Sequence, residues 1–423
     1  MNEAFIHYLW KFRMLNRELR TESGHTLAII KPGEHNTNGG PDFFNARIRI
    51  NDTLWAGNVE MHVRASDWYR HNHQLDKAYE NTILHVVYEP DIAVKCNGSG
   101  EIPALVIKGQ YPEEIYDRYQ LMMKNHLWIP CANLVCPDHE INFRQWAPGL
   151  VVERLIEKSQ SINHLWESCH RDWEEAFYLH LAIHFGFKIN AFPFELLARS
   201  LPMKLLQKYW NNRFQLESLL LGQSGMLDQN FSDAYPQTLA VEYQFLKSKY
   251  QLKAIQPALW KYLRLRPSNF PNIRLSQFAA FFNQSHGKIF NILESTSFQD
   301  ARQYFSVSAS TYWDTHFSFD KPSVMIPKVI GNSSKNLLMI NGVSAFLFFY
   351  GQMKGSQVLR EKAIHFIEQA TGEVNADIHR WKQAGFLPEN ALHTQAMIQL
   401  KNNYCDKKRC LECRIGNKVL RRN

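Results

Sequence analysis

The hydrophobic and polar positions of this chain follow two periodicities, and the change from one to the other divides the sequence. In the first third, short segments alternate between apolar and polar residues, which is typical of strands with one buried face. From about residue 141 onward, apolar residues recur every three to four positions, as in amphipathic helices. We therefore predict an α/β domain at residues 1–130 and a larger all-helical domain at 131–400, followed by a basic, cysteine-containing tail at 401–423.

The N-terminal domain is predicted to begin with a helix over residues 1–20, where Phe5, Leu9 and Phe12 recur at helical spacing. Strands are predicted at His25–Ile30, Phe43–Asn51, Leu54–Arg64, Ile83–Glu89 and Ala104–Lys108, with a second helix at His71–Asn81. The predicted order is helix, three strands, helix, two strands. The proline- and glycine-rich loop KPGEHNTNGGP ends where the second strand begins, so Asp42 opens that strand.

Alternation along the third predicted strand separates two faces. Val59, Met61 and Val63 share one face, and Glu60 and His62 share the other. Residues two apart on a strand lie roughly 6.5–7 Å apart on the same side of the sheet. Glu60 and His62 are therefore predicted to point together, away from the apolar face.

Two short motifs, Pro41-Asp42 and Glu60-Met61-His62, lie on consecutive predicted strands. This arrangement resembles the PD-(D/E)xK nucleases, in which Pro-Asp precedes Asp/Glu-x-Lys. The resemblance implies a restriction-endonuclease-like αβββαβ core and a metal-dependent nuclease acting on DNA or RNA. It also implies that Asp42, Glu60 and His62 form the catalytic and metal-binding set, with His62 in the position of the family's lysine.

Phosphodiester hydrolysis explains why paired carboxylates matter in this pattern. Mg²⁺ or Mn²⁺ takes oxygen ligands, which two carboxylates on adjacent strands can supply. The metal lowers the pKa of a bound water and offsets charge on the phosphate. A third group orients or deprotonates that water, and His62 can do this near neutral pH or can ligate the metal. The missing lysine equally fits a degenerate core that binds nucleic acid as a scaffold without cutting it.

Histidines downstream of this motif favour a different class of site. His71, His73 and Asp76 give His-x-His with a nearby carboxylate, which can bind zinc or manganese. With His62 and His85 added, the pattern predicts a His-rich metallohydrolase of a small substrate. His71 by itself is typical of an exposed polar residue, and His85 is either a core histidine or a residue facing the site. The second rank of site candidates is His73, Asp76, His85 and Glu3.

Three cysteines near the C-terminus, Cys405, Cys410 and Cys413, form C-x₄-C-x₂-C. The C-x₂-C half lets two thiolates reach one metal from a tight turn, as in sites for Zn²⁺ or an iron–sulfur cluster. Three thiolates leave one ligand position for another residue of the fold. The candidates for that position are Cys96, Cys131, Cys136, Cys169 and His393. Unmetallated cysteines in a reducing compartment are the alternative.

The formal net charge of the 423 residues is +8, and residues 405–423, with seven Lys/Arg and two Asp/Glu, contribute +5 of it. Such a tail can neutralise phosphates, which fits nucleic acid as the partner, although charge alone favours a solvated terminus. The N-terminus lacks the features of a signal peptide, and the most apolar segment, Leu337–Tyr350, is shorter than the ~20 residues of a membrane span. We expect a cytoplasmic protein without a membrane segment.

Motifs spread over most of the chain resemble an uncharacterised family of bacterial proteins. They are GPDFFNARI, WAGNVEMH, DWYRHNHQLDKAYENTILHVVY, WIPC, RPSNFPNIRLSQFA and the closing YC-x₄-CLEC-x-IG. This resemblance covers nearly the full length and implies no activity, so the predicted function depends on the paired strands that carry Asp42 and Glu60.

Overall fold

The structure is a computed structural model that describes residues 1–96, 100–135 and 138–422, except the side chains of Cys96 and Asp138. The chain separates into two compact units. The first comprises residues 1–142 together with 401–423, and the second comprises residues 143–400. The basic tail therefore belongs to the same unit as the N-terminal sheet. The predicted mixed α/β fold, with its sheet at the N-terminus and a larger helical region after it, is confirmed.

The first unit is built on a mixed sheet that follows helix α1 (Glu3–Lys11). Its strands are β1 (Leu19–Arg20), β2 (Thr26–Lys31), β3 (Glu34–His35), β4 (Phe43–Ile50), β5 (Thr53–Arg64), β6 (Thr82–Glu89), β7 (Lys95–Cys96), β8 (Gly100–Glu101) and β9 (Ala104–Val106). Across the described ranges, seven strands join in one sheet in the order β1-β2-β4-β5-β6-β9, with β3 paired to β4. Strands β7 and β8 pair separately.

Strand directions place the predicted site near the centre of this sheet. β2, β4 and β5 are antiparallel neighbours, whereas β6 pairs with β5 in the parallel direction. Asn51, with φ 50°, forms the tight turn from β4 to β5. Because parallel neighbours require a crossover connection, residues 65–81 pass from one end of β5 back to the start of β6.

The crossover consists of short turns, and the predicted continuous helix over residues 71–81 is wrong. Helix α2 (Asp67–Arg70) is followed by 3-10 turns at His73–Leu75 and Lys77–Tyr79. Asn72 has φ 60° in the left-handed region and Asp76 is extended, so neither residue continues a helix. The Asp76 side chain instead accepts a hydrogen bond from the Ala78 N–H at 2.9 Å, which caps the last turn.

Buried side chains at both ends of the crossover hold it on the sheet. Trp68 and Tyr79 pack with Ala65, Val87 and Ile102 in one buried cluster. Burying a large apolar side chain contributes roughly 1.5–3 kcal/mol. These contacts fix the backbone of the crossover, so the histidines between its two ends occupy defined positions beside β5 and β6.

The second unit is helical, as the period of its apolar positions predicts. Two of the helices that follow α2, α3 (Glu113–Lys124) and α17 (Arg414–Leu420), belong to the first unit. The others are α4 (Asp138–Ser168), α5 (Trp173–Phe185), α6 (Phe187–Ser200), α7 (Met203–Gln207), α8 (Arg213–Gln223), α9 (Ala234–Tyr250), α10 (Pro271–Gln284), α11 (Phe298–Gln303), α12 (Asn332–Leu337), α13 (Ala345–Met353), α14 (Gln357–Gln369), α15 (Ala376–Gln383) and α16 (Ala391–Leu400). A π-helical segment covers Leu338–Ser344 in the second unit, and another covers Lys401–Cys405 in the first unit. A short hairpin of β10 (His316–Ser318) and β11 (Lys321–Pro322) is not predicted by the pattern, because strands of three and two residues show no clear alternation. Among the helices described, none combines the length and apolar character needed to cross a bilayer.

Candidate metal centre

Asp42 and Glu60 are joined by a reciprocal pair of hydrogen bonds between β4 and β5. The Asp42 N–H donates to Glu60 Oε2 at 3.0 Å, and the Met61 N–H donates to Asp42 Oδ2 at 2.9 Å. The Asn36 side-chain amide lies within hydrogen-bond distance of four successive carbonyls of residues 38–41, which shapes the loop before Asp42. The loop and the strand register therefore bring the two predicted carboxylates side by side.

Glu60 also contacts two of the predicted histidines. Its Oε1 atom lies 3.6 Å from His62 Nε2 and 3.3 Å from His73 Nε2. Ring nitrogens of His62, His71 and His73 all lie within 4.8 Å of one another. Ligands bound tetrahedrally at ~2.0–2.1 Å from one ion would be about 3.3–3.4 Å apart. The three histidines are thus close enough together to share a single cation, and Glu60 Oε1 lies beside two of them.

His62 is fixed on its other ring nitrogen by His85. His62 Nδ1 lies 2.8 Å from His85 Nε2, and His62 Nε2 lies 3.3 Å from His71 Nδ1. The register of the parallel pair makes this contact possible, since Glu60 is the direct partner of His85. His85 is completely buried. Of the two alternatives that the sequence leaves open, the structure has His85 facing the site.

The bond to His85 determines which nitrogen of His62 is able to bind a cation. A metal-binding Nε2 needs its lone pair, so the proton of neutral His62 must lie on Nδ1. That N–H then donates to His85 Nε2, which moves the His85 proton to its own Nδ1. His85 Nδ1 has no hydrogen-bond partner among the described residues. An unpaired buried N–H costs about 1–3 kcal/mol, which the bond to the metal would have to offset.

Burial changes the protonation of these groups. Desolvation raises the pKa of Glu60, and its hydrogen bond with His73 opposes that rise. Desolvation is the main cause that lowers the pKa of His62 to about 2, and the neighbouring rings of His85 and His73 add to it. Desolvation lowers the pKa of His85 to about 3. Both imidazoles are therefore neutral near pH 7, which is the metal-binding form, and His62 is better suited to a ligand than to a base.

Aromatic rings hold His73 in place. Tyr79 stacks on it with ring centroids 3.9 Å apart and an interplanar angle of 23°. Trp68 contacts the edge of His73 at a centroid distance of 5.5 Å and packs against His85 at the same distance. Burial, together with the charge of Glu60, raises the pKa of the Tyr79 phenol, so it stays protonated. The crossover thus supplies both a histidine and the rings that orient it.

His7 is a site residue that sequence reasoning missed. Its Nε2 lies 3.2 Å from Asp42 Oδ2, and its ring packs against His35 with centroids 5.4 Å apart. A polar residue inside the apolar run FIHYLW was the available signal. The predicted site residue Glu3 lies one turn earlier on α1. The helix therefore contributes a histidine beside Asp42, whereas the sequence predicts a carboxylate.

The structure brings together most, but not all, of the site residues predicted from the sequence. Asp42, Glu60, His62, His73 and His85 are brought together, and the exposed His71 joins them. Asp76 is exposed and caps the turn over residues 77–79. The tail cysteines Cys405, Cys410 and Cys413 lie in the first unit together with Cys131. Cys169 and His393 lie in the second unit. Cys136 and the side chain of Cys96 are outside the described residues.

A cleft of about 790 Å³ opens beside His7. Lys11 of α1 lines it, as do Lys408, Arg409 and Glu412 of the tail. Arg409 Nε lies 3.1 Å from Glu412 Oε1, so part of the positive charge is neutralised within the cleft wall. The cleft therefore borders the face of α1 that carries His7.

The protein thus has a mixed α/β fold and carries a cluster of histidines and carboxylates at its N-terminal sheet. The chain belongs to a family described as a protein of unknown function, DUF2851, whose model matches residues 3–376. No curated protein and no solved structure matches the chain. The family match includes the whole histidine–carboxylate cluster and ends before the three tail cysteines.

Proposed function

We propose that this chain is a metal-dependent hydrolase that cleaves phosphodiester bonds in nucleic acid. The position of Glu60 carries the proposal, because its two oxygens contact the Asp42 N–H, His62 and His73. A buried carboxylate beside imidazole rings and a second carboxylate is a donor set for a divalent cation.

The order and direction of the strands in the sheet support a function as a nuclease. β2, β4 and β5 form an antiparallel meander, and the crossover leads to β6 parallel to β5. The resemblance to PD-(D/E)xK nucleases implies this arrangement, with Asp42 opening one strand and Glu60 on the next. His62, two residues beyond Glu60, stands in the lysine position and contacts the same carboxylate.

The donor set favours Mn²⁺ or Zn²⁺ over Mg²⁺. Imidazole nitrogen suits transition metals, whereas Mg²⁺ takes oxygen ligands in a tight octahedron. Glu60, His62 and His73 would hold the ion, with Asp42 as the second carboxylate. When bound, the ion supplies a Lewis acid for a phosphate oxygen and lowers the pKa of a bound water.

Residues around the ligands would position them. His85 orients His62 through the 2.8 Å hydrogen bond, and Tyr79 holds the His73 ring by stacking. His7 Nε2 faces Asp42 Oδ2, so its N–H would donate to that carboxylate, and Nδ1 is the ring atom left to accept a proton from a water in the cleft that His7 lines. Proton transfer is thereby assigned to His7 instead of the buried His62.

The cleft fits a polyanionic substrate. Lys11 and Lys408 line it, and residues 405–423 carry +5 of the net charge of +8. Each phosphate that a protein neutralises releases counterions, so binding should weaken steeply with salt. Nucleic acid offers both the phosphodiester bond and the repeated negative charge.

Cleavage assays test the proposal. Chelated protein is incubated with labelled single- and double-stranded DNA and RNA, and Mn²⁺, Zn²⁺ or Mg²⁺ is added back. We expect metal-dependent cleavage, fastest with Mn²⁺ or Zn²⁺, that falls by at least ~100-fold in Glu60→Gln. Glu80→Gln, which changes an exposed carboxylate of the crossover, is the matched control and should cut like the wild type. Salt-sensitive binding without cleavage under any metal would establish the scaffold alternative.

Hydrolysis of a small substrate is the second candidate, and His71 favours it. A third imidazole beside His62 and His73 gives a set typical of zinc hydrolases with an open ligand position. Turnover of a chromogenic phosphodiester without cleavage of any nucleic acid would support this candidate. His71→Ala should then abolish metal binding, whereas a nuclease that relies on Glu60 should lose only part of its affinity.

A further inference from the structure

The tail cysteines form a second group of potential ligands. Cys405 ends the π-helical segment, Cys410 lies in the turn that follows, and Cys413 is the residue before α17. Cys410 and Cys413 are buried, and Cys405 is partly so. Three thiols are therefore presented by one short stretch of mostly irregular backbone.

The fold supplies a fourth thiol from a distant part of the sequence. Cys131 lies in the turn after α3, where its carbonyl accepts a hydrogen bond from the Leu134 N–H at 2.8 Å. The residue is only 7% exposed. Arg118 of α3 donates to the Leu420 carbonyl at the end of α17 at 3.1 Å. This bond helps to hold α3 and the tail together within the first unit.

The tail contacts the segment that leads to Cys131, because Lys408 donates a hydrogen bond to the Met123 carbonyl and Lys401 Nζ lies 5.6 Å from the centroid of the Trp128 ring. The four thiols accordingly affect one another electrostatically. Cys131 interacts with Cys410 and Cys413, Cys405 with all three others, and Cys410 with Cys413. Burial is the main cause that raises the pKa of Cys131 and of Cys410 to about 12, and the neighbouring thiols add to this effect. A metal that binds thiolates would reverse this protonation.

The sulfur atoms of these four cysteines are not spaced like the ligands of a single zinc ion. Four thiolates bound to zinc at ~2.3 Å would lie about 3.8 Å apart. All four thiols belong to the described residues, and no three of their sulfur atoms lie all within 4.8 Å of one another. In a four-iron cluster each cysteine binds a different iron, which places the sulfurs farther apart than a single ion does.

The backbone around Cys413 also fits a bound thiolate. The Gly416 N–H donates to Cys413 Sγ at 3.4 Å, and such bonds to ligating sulfur stabilise its negative charge. Gly416 also approaches Cys410 so closely that a Cβ would lie 2.2 Å from the Cys410 carbonyl oxygen. A glycine at this position keeps the segment from Cys410 to Cys413 tightly folded.

We propose that Cys131, Cys405, Cys410 and Cys413 bind a four-iron iron–sulfur cluster. One ligand follows α3 and three come from the tail, so the cluster joins two distant segments of the first unit. Lys408, between Cys405 and Cys410, lines the cleft beside His7. The cluster thereby holds one wall of the cleft without supplying a ligand to the histidine–carboxylate centre.

Metal and sulfide content provide the test. The full chain is purified without oxygen and reconstituted with ferrous iron and sulfide. We expect about four iron and four sulfide per chain, a broad visible absorption that dithionite bleaches, and an electron paramagnetic resonance signal after reduction. Stoichiometric zinc without iron, or no iron retained after reconstitution, would overturn the proposal.

Cysteine variants test the ligand assignment. Cys131→Ser and Cys410→Ser should lose most of the iron, whereas Cys169→Ser, a buried thiol of the second unit, should keep it. Loss of iron in Cys136→Ser with retention in Cys131→Ser would contradict the assignment of Cys131. Circular dichroism identifies any variant that does not fold. In that case, iron-edge X-ray absorption of the wild type gives the answer, because nitrogen or oxygen ligands in place of sulfur would contradict the four-cysteine set.

Discussion

Glu60 Oε1 lies 3.3 Å from His73 Nε2, and this contact joins strand β5 to the crossover that follows it. Glu60 is 5% exposed, so its carboxylate has lost most of its hydration. A buried carboxylate needs hydrogen bonds or a cation to replace that water. The histidines and the Asp42 N–H around Glu60 meet part of this need, and a bound cation would meet the rest.

Replacing His85 should weaken the metal centre without removing a metal ligand. His85→Ala deletes the 2.8 Å contact that orients His62, so we expect the affinity for Mn²⁺ to fall about 10–100-fold. His25→Ala changes an exposed histidine of the same unit and should have no effect. Isothermal titration measures both, and equal affinities in the two variants would contradict the orienting role.

The metal-free protein should lose stability around the site as the pH falls below about 6.5. Folded His62 and His85 have pKa values of about 2 and about 3, far below the ordinary value of 6.5. Between these values the unfolded chain binds protons that the folded chain excludes, so folding weakens as the pH falls. Each histidine contributes roughly 1.4 kcal/mol per pH unit in this window.

Hydrogen exchange of the β5 and β6 amides, corrected for intrinsic rates, measures this effect between about pH 7 and about pH 5.5. The double variant His62→Asn, His85→Asn should show a flatter dependence than the wild type. Glu60 acts in the opposite sense, because burial raises its pKa in the folded chain. Its contribution to folding stability is therefore complete below about pH 4.5 and is lost as the pH rises through the pKa of the folded state. Equal protection of the wild type at both pH values would rule out the histidine effect.

Gly57 marks a place where β5 and the start of β6 approach too closely for a side chain. A Cβ there would lie 2.4 Å from Ile83 Cγ2 and 2.7 Å from the Asn81 carbonyl oxygen. Gly57→Ala should destabilise the protein by about 1–3 kcal/mol. Gly39→Ala is the matched control, since a Cβ at Gly39 meets nothing within 4 Å. Denaturant unfolding should separate the two variants, and identical unfolding midpoints would refute the close approach.

A buried carboxylate of the second unit has a structural role. Glu217 Oε1 accepts hydrogen bonds from Trp313 Nε1 at 2.7 Å and from Ser310 Oγ at 2.9 Å. Glu217→Ala leaves the indole N–H unpaired and opens a cavity, with an expected loss of about 2–5 kcal/mol. Glu217→Gln keeps a carbonyl acceptor and should cost less. Thermal unfolding would contradict this role if Gln were the more damaging replacement.

The strands and their faces were predictable because alternation is a local property. The two-residue period that separates Val59 and Met61 from Glu60 and His62 follows from strand geometry alone. The Gly-Gly-Pro turn likewise places Asp42 at a strand start from the sequence. The proximity of the Asp42 and Glu60 side chains in the candidate site could therefore be predicted from the sequence.

Contacts between distant segments could not be predicted in this way. The left-handed Asn72 breaks the predicted helix, so the spacing of His73 from its neighbours follows no helical rule. His85 meets His62 only because β6 pairs with β5 in one particular register. Cys131 lies far from the tail motif in sequence, and spacing within the motif says nothing about its partner in space.

The claim that Glu60 organises a metal centre is tested most directly by crystals grown with Mn²⁺ and measured at the manganese absorption edge. We predict an anomalous peak within bonding distance of Glu60 Oε1, His62 Nε2 and His73 Nε2. The peak should be absent in Glu60→Gln. A wild-type crystal without a peak at these three atoms, at Mn²⁺ concentrations that saturate binding in solution, would contradict the claim.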